Sequence, residues 1–154
     1  MLVPLLSYSQ GPAVTGEVNV TCDAWQASNT NGYFPVTGHW IEESTPTEWE
    51  LKSALLGFTR VSNAHNGERL GQALFKIFKR AGIEHKVCGR MQDLFTCSCA
   101  PLQIGHITGD NASNNLTMVQ ELAKRLKAAT GKTYNWRARK IKYVVVLRWS
   151  LSYL

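Results

Sequence analysis

Glu17-Val18-Asn19-Val20-Thr21-Cys22-Asp23-Ala24-Trp25 decides the fold. Val18, Val20 and Cys22 alternate with Asn19, Thr21 and Asp23, the period of a strand with one face in a core. An acid closes the alternation at its carboxyl end. Upstream, residues 1–16 carry Gly11-Pro12 and Gly16 and read as an irregular lead-in. Downstream, Ser28-Asn29-Thr30-Asn31-Gly32 is a turn cluster with an Asn-Gly hairpin signal. Tyr33 to Glu42 reads as a second strand with Phe34, Val36, Gly38 and Trp40 on one face. Glu43 to Thr47, containing Pro46, turns the chain again, and Trp49 to Val61 reads as a third strand. Three strands joined by short turns predict an antiparallel meander.

The period then changes. Asn66 is placed to cap a helix, with Glu68 in the first turn where the helix dipole favours an acid. Leu70, Leu74, Ile77, Phe78 and Ala81 follow helical spacing, and Gly82 suits the residue just past the end. Ile104 to Thr108 is a short strand candidate. Asn114 or Asn115 is expected to cap a second helix with an apolar stripe of Val119, Leu122, Ala123 and Leu126, closed by Gly131. Ile141 to Leu147 is rich in β-branched residues and reads as a last strand. The order β-β-β-α-β-α-β predicts an α/β domain with a mixed sheet.

The 154 residues are 44% apolar and 18% charged, which suits one domain with a sizeable core rather than a disordered chain. No apolar run reaches the roughly 18 residues of a membrane span. Met1-Leu2-Val3-Pro4-Leu5-Leu6 lacks the basic region of a signal peptide, so the cysteines are expected to be reduced thiols. The net charge of +6 is unevenly spread: residues 1–65 hold six acids against two bases, and residues 110–154 hold nine bases against two acids. The basic end points to a polyanionic partner or to a solvated cationic face. Lys124, Arg125, Lys127, Lys132, Arg137, Arg139, Lys140 and Lys142 are the candidate phosphate-facing set, with Tyr134 and Trp136 interleaved as candidate stacking groups.

Asp23 ends the first strand and Asp110 ends the fourth. If those strands are parallel neighbours, the two carboxylates meet beyond the strand ends, where open α/β sheets gather reactive groups. Paired carboxylates repel unless a cation lies between them, and hard oxygen ligands suit Mg²⁺. Two such ions would hold the attacking and leaving oxygens of a phosphodiester exchange. Spacing alone favours a turn-forming role for each, because strand-end acids commonly form turns and Asp110 opens the loop-forming run Asp-Asn-Ala-Ser-Asn-Asn. Trp40 reads as core, and His65, in the loop before the first helix, as a capping or surface residue.

Val20-Thr21-Cys22-Asp23-Ala24-Trp25, Gly38-His39-Trp40-Ile41, Leu51-Lys52-Ser53-Ala54-Leu55-Leu56-Gly57-Phe58, His65-Asn66-Gly67-Glu68 and Thr108-Gly109-Asp110-Asn111-Ala112-Ser113-Asn114-Asn115 together resemble the catalytic core of hAT-superfamily transposases. The resemblance covers roughly residues 17–142. It implies an RNase H-like fold and cut-and-paste DNA transposition by two Asp and one Glu that hold Mg²⁺ or Mn²⁺. On that resemblance Asp23 is the first catalytic, metal-holding acid and Asp110 the second. It also implies DNA and further transposase subunits as partners and a nuclear location, with no membrane and no small-molecule substrate.

Two departures qualify the resemblance. Val87 to Gln103 intervenes where similar proteins run almost directly from helix to strand, and its codons fit an intron retained in frame. Its Cys88, Cys97 and Cys99 do not have standard zinc spacing. From Tyr143 the match ends, so residues 143–154 read as an atypical tail, and the family's third acid is expected to be missing. Glu121 is too early to replace it. The expectation is therefore a core inactive alone, with a non-catalytic nucleic-acid-binding or protein-interaction module as the alternative. RNA reads that join the codons for Lys86 and Ile104 are expected; transcripts that uniformly keep the intervening codons would contradict the intron.

Overall fold

The computed structural model describes residues 13–26, 32–45, 47–62, 66–84, 103–110 and 112–142. The elements are β1 (Ala13–Cys22), β2 (Trp25–Gln26), β3 (Gly32–Thr45), β4 (Glu48–Arg60), α1 (Gly67–Ala81), β5 (Gln103–Gly109), α2 (Asn114–Thr130), α3 (Trp136–Arg139) and β6 (Lys140–Lys142). Within these residues the chain is a mixed α/β domain, as expected, although β1 starts at Ala13, ahead of Glu17. The Asn-Gly turn, Pro46, His65, the 87–102 part of the insertion with its cysteines, and the 143–154 tail lie outside the described residues.

The meander forms as the alternation predicts. β1 pairs antiparallel with β3, and β3 with β4. Val18, Val20 and Cys22 of β1 and Phe34, Val36 and Trp40 of β3 are buried on one face. Between Cys22 and Trp25 the chain keeps its register against β3: Cys22 faces Val36 and Trp25 faces Tyr33. β2 is therefore β1 resumed after a two-residue break at Asp23 and Ala24.

The other side of β1 carries the decisive pairing. β5 lies parallel to β1, with Val20 opposite Ile107 and Thr21 opposite Thr108, and β6 lies parallel to β5. Across the sheet the sequence is β4, β3, β1, β5, β6. Because β3 is antiparallel to both β1 and β4, four strands (β1, β4, β5 and β6) point their carboxyl ends the same way.

α1 behaves as its sequence demands. Asn66 Oδ1 accepts from Arg69 N at 3.2 Å, and Gly82 takes the left-handed conformation (φ 69°) that ends the helix. Leu70, Leu74, Ile77 and Phe78 are fully buried, as are Leu122 and Leu126 of α2. Each side chain of this kind contributes about 1.5–3 kcal/mol when taken out of water. The helices pack together through Gly71: a Cβ there would lie 2.6 Å from Met118 O and 2.8 Å from Glu121 Cβ.

The start of α2 departs from expectation. Ser113 occupies the cap position with helical backbone and no side-chain capping bond, whereas Asn114 and Asn115 lie inside the helix. Asn115 is buried and its amide turns back onto Asp110. A bond to the preceding strand end has displaced the local cap. Trp136–Arg139 forms a helical turn capped by Asn135 Oδ1, and the described part of the last strand is Lys140–Lys142, one residue ahead of the expected start at Ile141.

Gly71→Ala is expected to destabilise the chain by about 1–3 kcal/mol in urea melts, because the backbone oxygen of Met118 cannot yield to a methyl group. The ~1 kcal/mol that alanine gains over glycine in a helix offsets only part of this. Unchanged or raised stability would mean that α1 and α2 are not in close contact there.

Candidate active site

The parallel register of β1 and β5, continued by two residues, sets Asp23 opposite Asp110. Neighbouring strands lie about 4.8 Å apart, so both acids leave the sheet at one point on its carboxyl edge. Cys22 records their convergence. Burial pushes its thiol up to about 12, and the charges of Asp23 and Asp110 push the same way, while Lys140 opposes them. The Cys22 Sγ donates weakly to Thr108 O at 3.7 Å, a contact between β1 and β5 beside the acids.

Each carboxylate is steadied through one oxygen. Asp23 Oδ1 accepts from the Ala24 amide at 2.8 Å. Asp110 Oδ1 accepts from the Ala112 amide at 3.0 Å and from Asn115 Nδ2, whose amide also reaches Asp110 O at 3.0 Å. Gly109 leaves room for this amide: a Cβ there would already stand 3.2 Å from Asn115 Nδ2. Asp23 borders a small open cleft of 170 Å³ with Thr21, Pro35 and Thr37, and it is exposed. Asp110 thus uses the turn chemistry expected of its loop and still stands beside Asp23.

Among the described residues no three His, Cys, Asp or Glu side chains gather as a metal cluster. The donor set is two hard carboxylates with their Oδ1 atoms held and open space in front of Asp23. Mg²⁺ characteristically keeps several waters and takes one or two carboxylates plus substrate phosphate oxygens. The pair fits such an ion and does not form an all-protein cage. Glu121 does not join it, because Arg125 Nε holds its carboxylate at 2.7 Å.

The candidate cations separate into two groups. Lys140 lies near enough to influence Cys22, and Lys142 pairs in register with Gly109. Both therefore belong to the acid end of the sheet. α2 runs away from that end, so at 1.5 Å per residue Lys124 is about 15 Å along it and Lys127 about 20 Å. Lys132 follows the helix at the far end. Lys127, Lys132 and Arg137 are exposed, and Arg137 lies over the Trp136 ring at 5.2 Å. Arg139 instead pairs with Glu17 and reaches Ile104 O at 3.4 Å. Tyr134 corrects the stacking expectation: it is buried, and its hydroxyl donates to Gly105 O at 2.8 Å. Burial pushes its hydroxyl well above the usual phenol pKa, with Arg139 opposing and Glu17 adding to the rise. These contacts clamp the segment after α2 against β1 and β5 and so deliver Lys140 to the acid end.

Sequence reading missed Asn115 as the residue that positions Asp110. The signal was the Asp-x-x-x-x-Asn spacing across the strand–helix turn. It also missed the close helix contact, signalled by Gly67-x-x-x-Gly71.

The chain belongs to the ZBED1 RNase-like domain family, whose family model matches residues 21–98. Two relatives from Zea mays, named AC transposase and AC9 transposase, are each 29% identical over 120 residues, covering 78% of this chain and 12% of their own length. A Talaromyces stipitatus relative named transcriptional regulator tpeD is 25% identical over 124 residues, covering 80% of this chain and 12% of its own. The chain thus corresponds to 12% of the length of these relatives. No solved structure matches. The resemblance to hAT-superfamily transposases is borne out, and this is an hAT-type, transposon-derived domain.

Proposed function

We propose that this chain carries the two-aspartate part of a DNA transposase nuclease centre on an RNase H-like sheet, within a core of residues 17–142. The observation that supports the reading is the juxtaposition of Asp23 and Asp110 across the β1–β5 register. Asp23 and Asp110 would hold a hydrated Mg²⁺ or Mn²⁺. When bound, the cation stabilises charge on the oxygens of a reacting phosphodiester. Asn115 and the Ala112 and Ala24 amides fix the carboxylates in position. Lys140 and Lys142 would attract the phosphate backbone to the same end of the sheet, with Lys124, Lys127, Lys132 and Arg137 binding it further along. The maize relatives' names support DNA as the partner and the nucleus as the location. Further transposase subunits would complete the assembly.

Among the described residues no third carboxylate joins the pair. The chain alone is therefore expected not to cut DNA, since two carboxylates hold the cation loosely.

The test measures binding and cutting of a DNA duplex together. Ca²⁺ is expected to raise duplex affinity several-fold over EDTA in the parent, and this gain is expected to vanish in Asp23→Asn and in Asp110→Asn. No cleavage is expected with Mg²⁺ or Mn²⁺. Affinity indifferent to divalent cations would contradict the acid pair as a site. Cleavage that Asp23→Ala abolishes would contradict inactivity of the chain alone.

A further inference from the structure

A second cationic feature lies on the opposite flank of the sheet from Lys140 and Lys142. A cleft of 490 Å³ runs between the end of β4 and α1, and its walls include Arg60, Ser62, Arg69, Lys76, Lys79 and Arg80. The α1 members recur at helical spacing and form one stripe. The stripe from Arg69 to Arg80 extends for about 16 Å at the helical rise. Among the described residues no carboxylate lines the cleft. Among the described residues no ion pair engages Arg60, Lys76, Lys79 or Arg80, and Arg69 donates to Ser62 O and Ser62 Oγ at 3.3 Å. The helix dipole accounts for Lys79 and Arg80 in the last turn. It does not account for Arg60 or Lys76.

Position gives the cleft its meaning. Arg60 faces Tyr33, and Tyr33 faces Trp25, which follows Asp23 by two residues. The mouth of the cleft is therefore on the same carboxyl edge as Asp23 and Asp110, two strand spacings or about 10 Å from Asp23. From that edge α1 carries the cationic stripe away along one side of the domain.

We propose that this cleft is a phosphate-backbone track for the DNA strand as it leaves the acid pair. The inference rests on the reading of Asp23 and Asp110 as the reacting centre. A row of cations about 16 Å long, without an ion pair among the described residues, suits a repeating monoanion, and Ser62 and Thr59 add hydroxyl groups at the mouth. An acidic peptide is the competing occupant and is made an outcome of the test.

The test is titration of labelled DNA in EDTA, over a salt series, with Lys76→Gln/Lys79→Gln/Arg80→Gln and with Lys124→Gln/Lys127→Gln/Lys132→Gln as comparator. All six positions are on or just beyond helix surfaces, and amide spectra verify that both triple variants fold. The cleft variant is expected to lose about tenfold or more in affinity near 0.1 M salt and to have a log–log salt slope shallower by about 2–3. The comparator is expected to lose clearly less. Equal losses in both variants, an unchanged cleft variant, failure of the parent to bind DNA, or competition by polyglutamate equal to that by unlabelled DNA would each overturn the track. Because EDTA removes the divalent contribution, loss of cation dependence with the cleft effect intact counts against the acid pair alone.

Discussion

The parallel pairing of β1 with β5 is the constraint on which the rest depends. The three-strand meander can form from local contacts, since each hairpin joins neighbours in sequence. β5 arrives only after α1 and must be inserted beside β1, on the edge that β3 leaves open. Parallel neighbours need a crossover, and α1 supplies it by packing its apolar stripe on the sheet. Once β5 is in place, α2 starts directly above its end, and the segment from Tyr134 to Lys142 is clamped beside it. The Tyr134 hydroxyl on Gly105 O and the Arg139–Glu17 pair do the clamping. The ion pair is partly exposed and is worth little by itself. The buried Tyr134 hydroxyl bond adds direction, because leaving it unmade would strand a polar group in the core.

The same pairing makes the electrostatics of the acid end. Two carboxylates on adjacent strand ends repel each other and both weigh on the thiol beneath them. The fold offsets this in two ways. Amide donors from Ala24, Ala112 and Asn115 hold the Oδ1 atoms, and a cation from β6 comes alongside. Both place positive or donor groups beside the two acids. Asn115 illustrates how a tertiary partner overrides local preference: its buried side chain bonds Asp110 from inside the helix, and Ser113 at the cap position makes no side-chain capping bond.

Much of this was legible in the sequence because it rests on periodicity. The alternation of Val18, Val20 and Cys22, and the spacing of Leu70, Leu74, Ile77 and Phe78, report directly on which face is buried. Gly82 and Gly131 mark both helix ends through their left-handed backbone. The two aspartates were legible as strand-end acids, but their meeting depended on a register that no local pattern contains. Three features escaped for the same reason: the Asn115 bond, the buried Tyr134 and the pairing of Arg139 with Glu17 are set by tertiary neighbours. A tyrosine among basic residues looks like a stacking group until its hydroxyl finds Gly105 O in the core. The lysines of the basic end likewise read as one patch along the chain, whereas α2 carries some of them away from the acids and β6 brings others back.

The most direct measurement of the central claim is paramagnetic broadening of backbone amide signals by substoichiometric Mn²⁺ in the intact chain, without DNA. The account predicts that Cys22 to Ala24 and Thr108 to Asp110 broaden together, and that either Asp23→Asn or Asp110→Asn removes the effect from both segments. Broadening of only one segment, or broadening of both that survives either substitution, would contradict a shared cation site at the ends of β1 and β5.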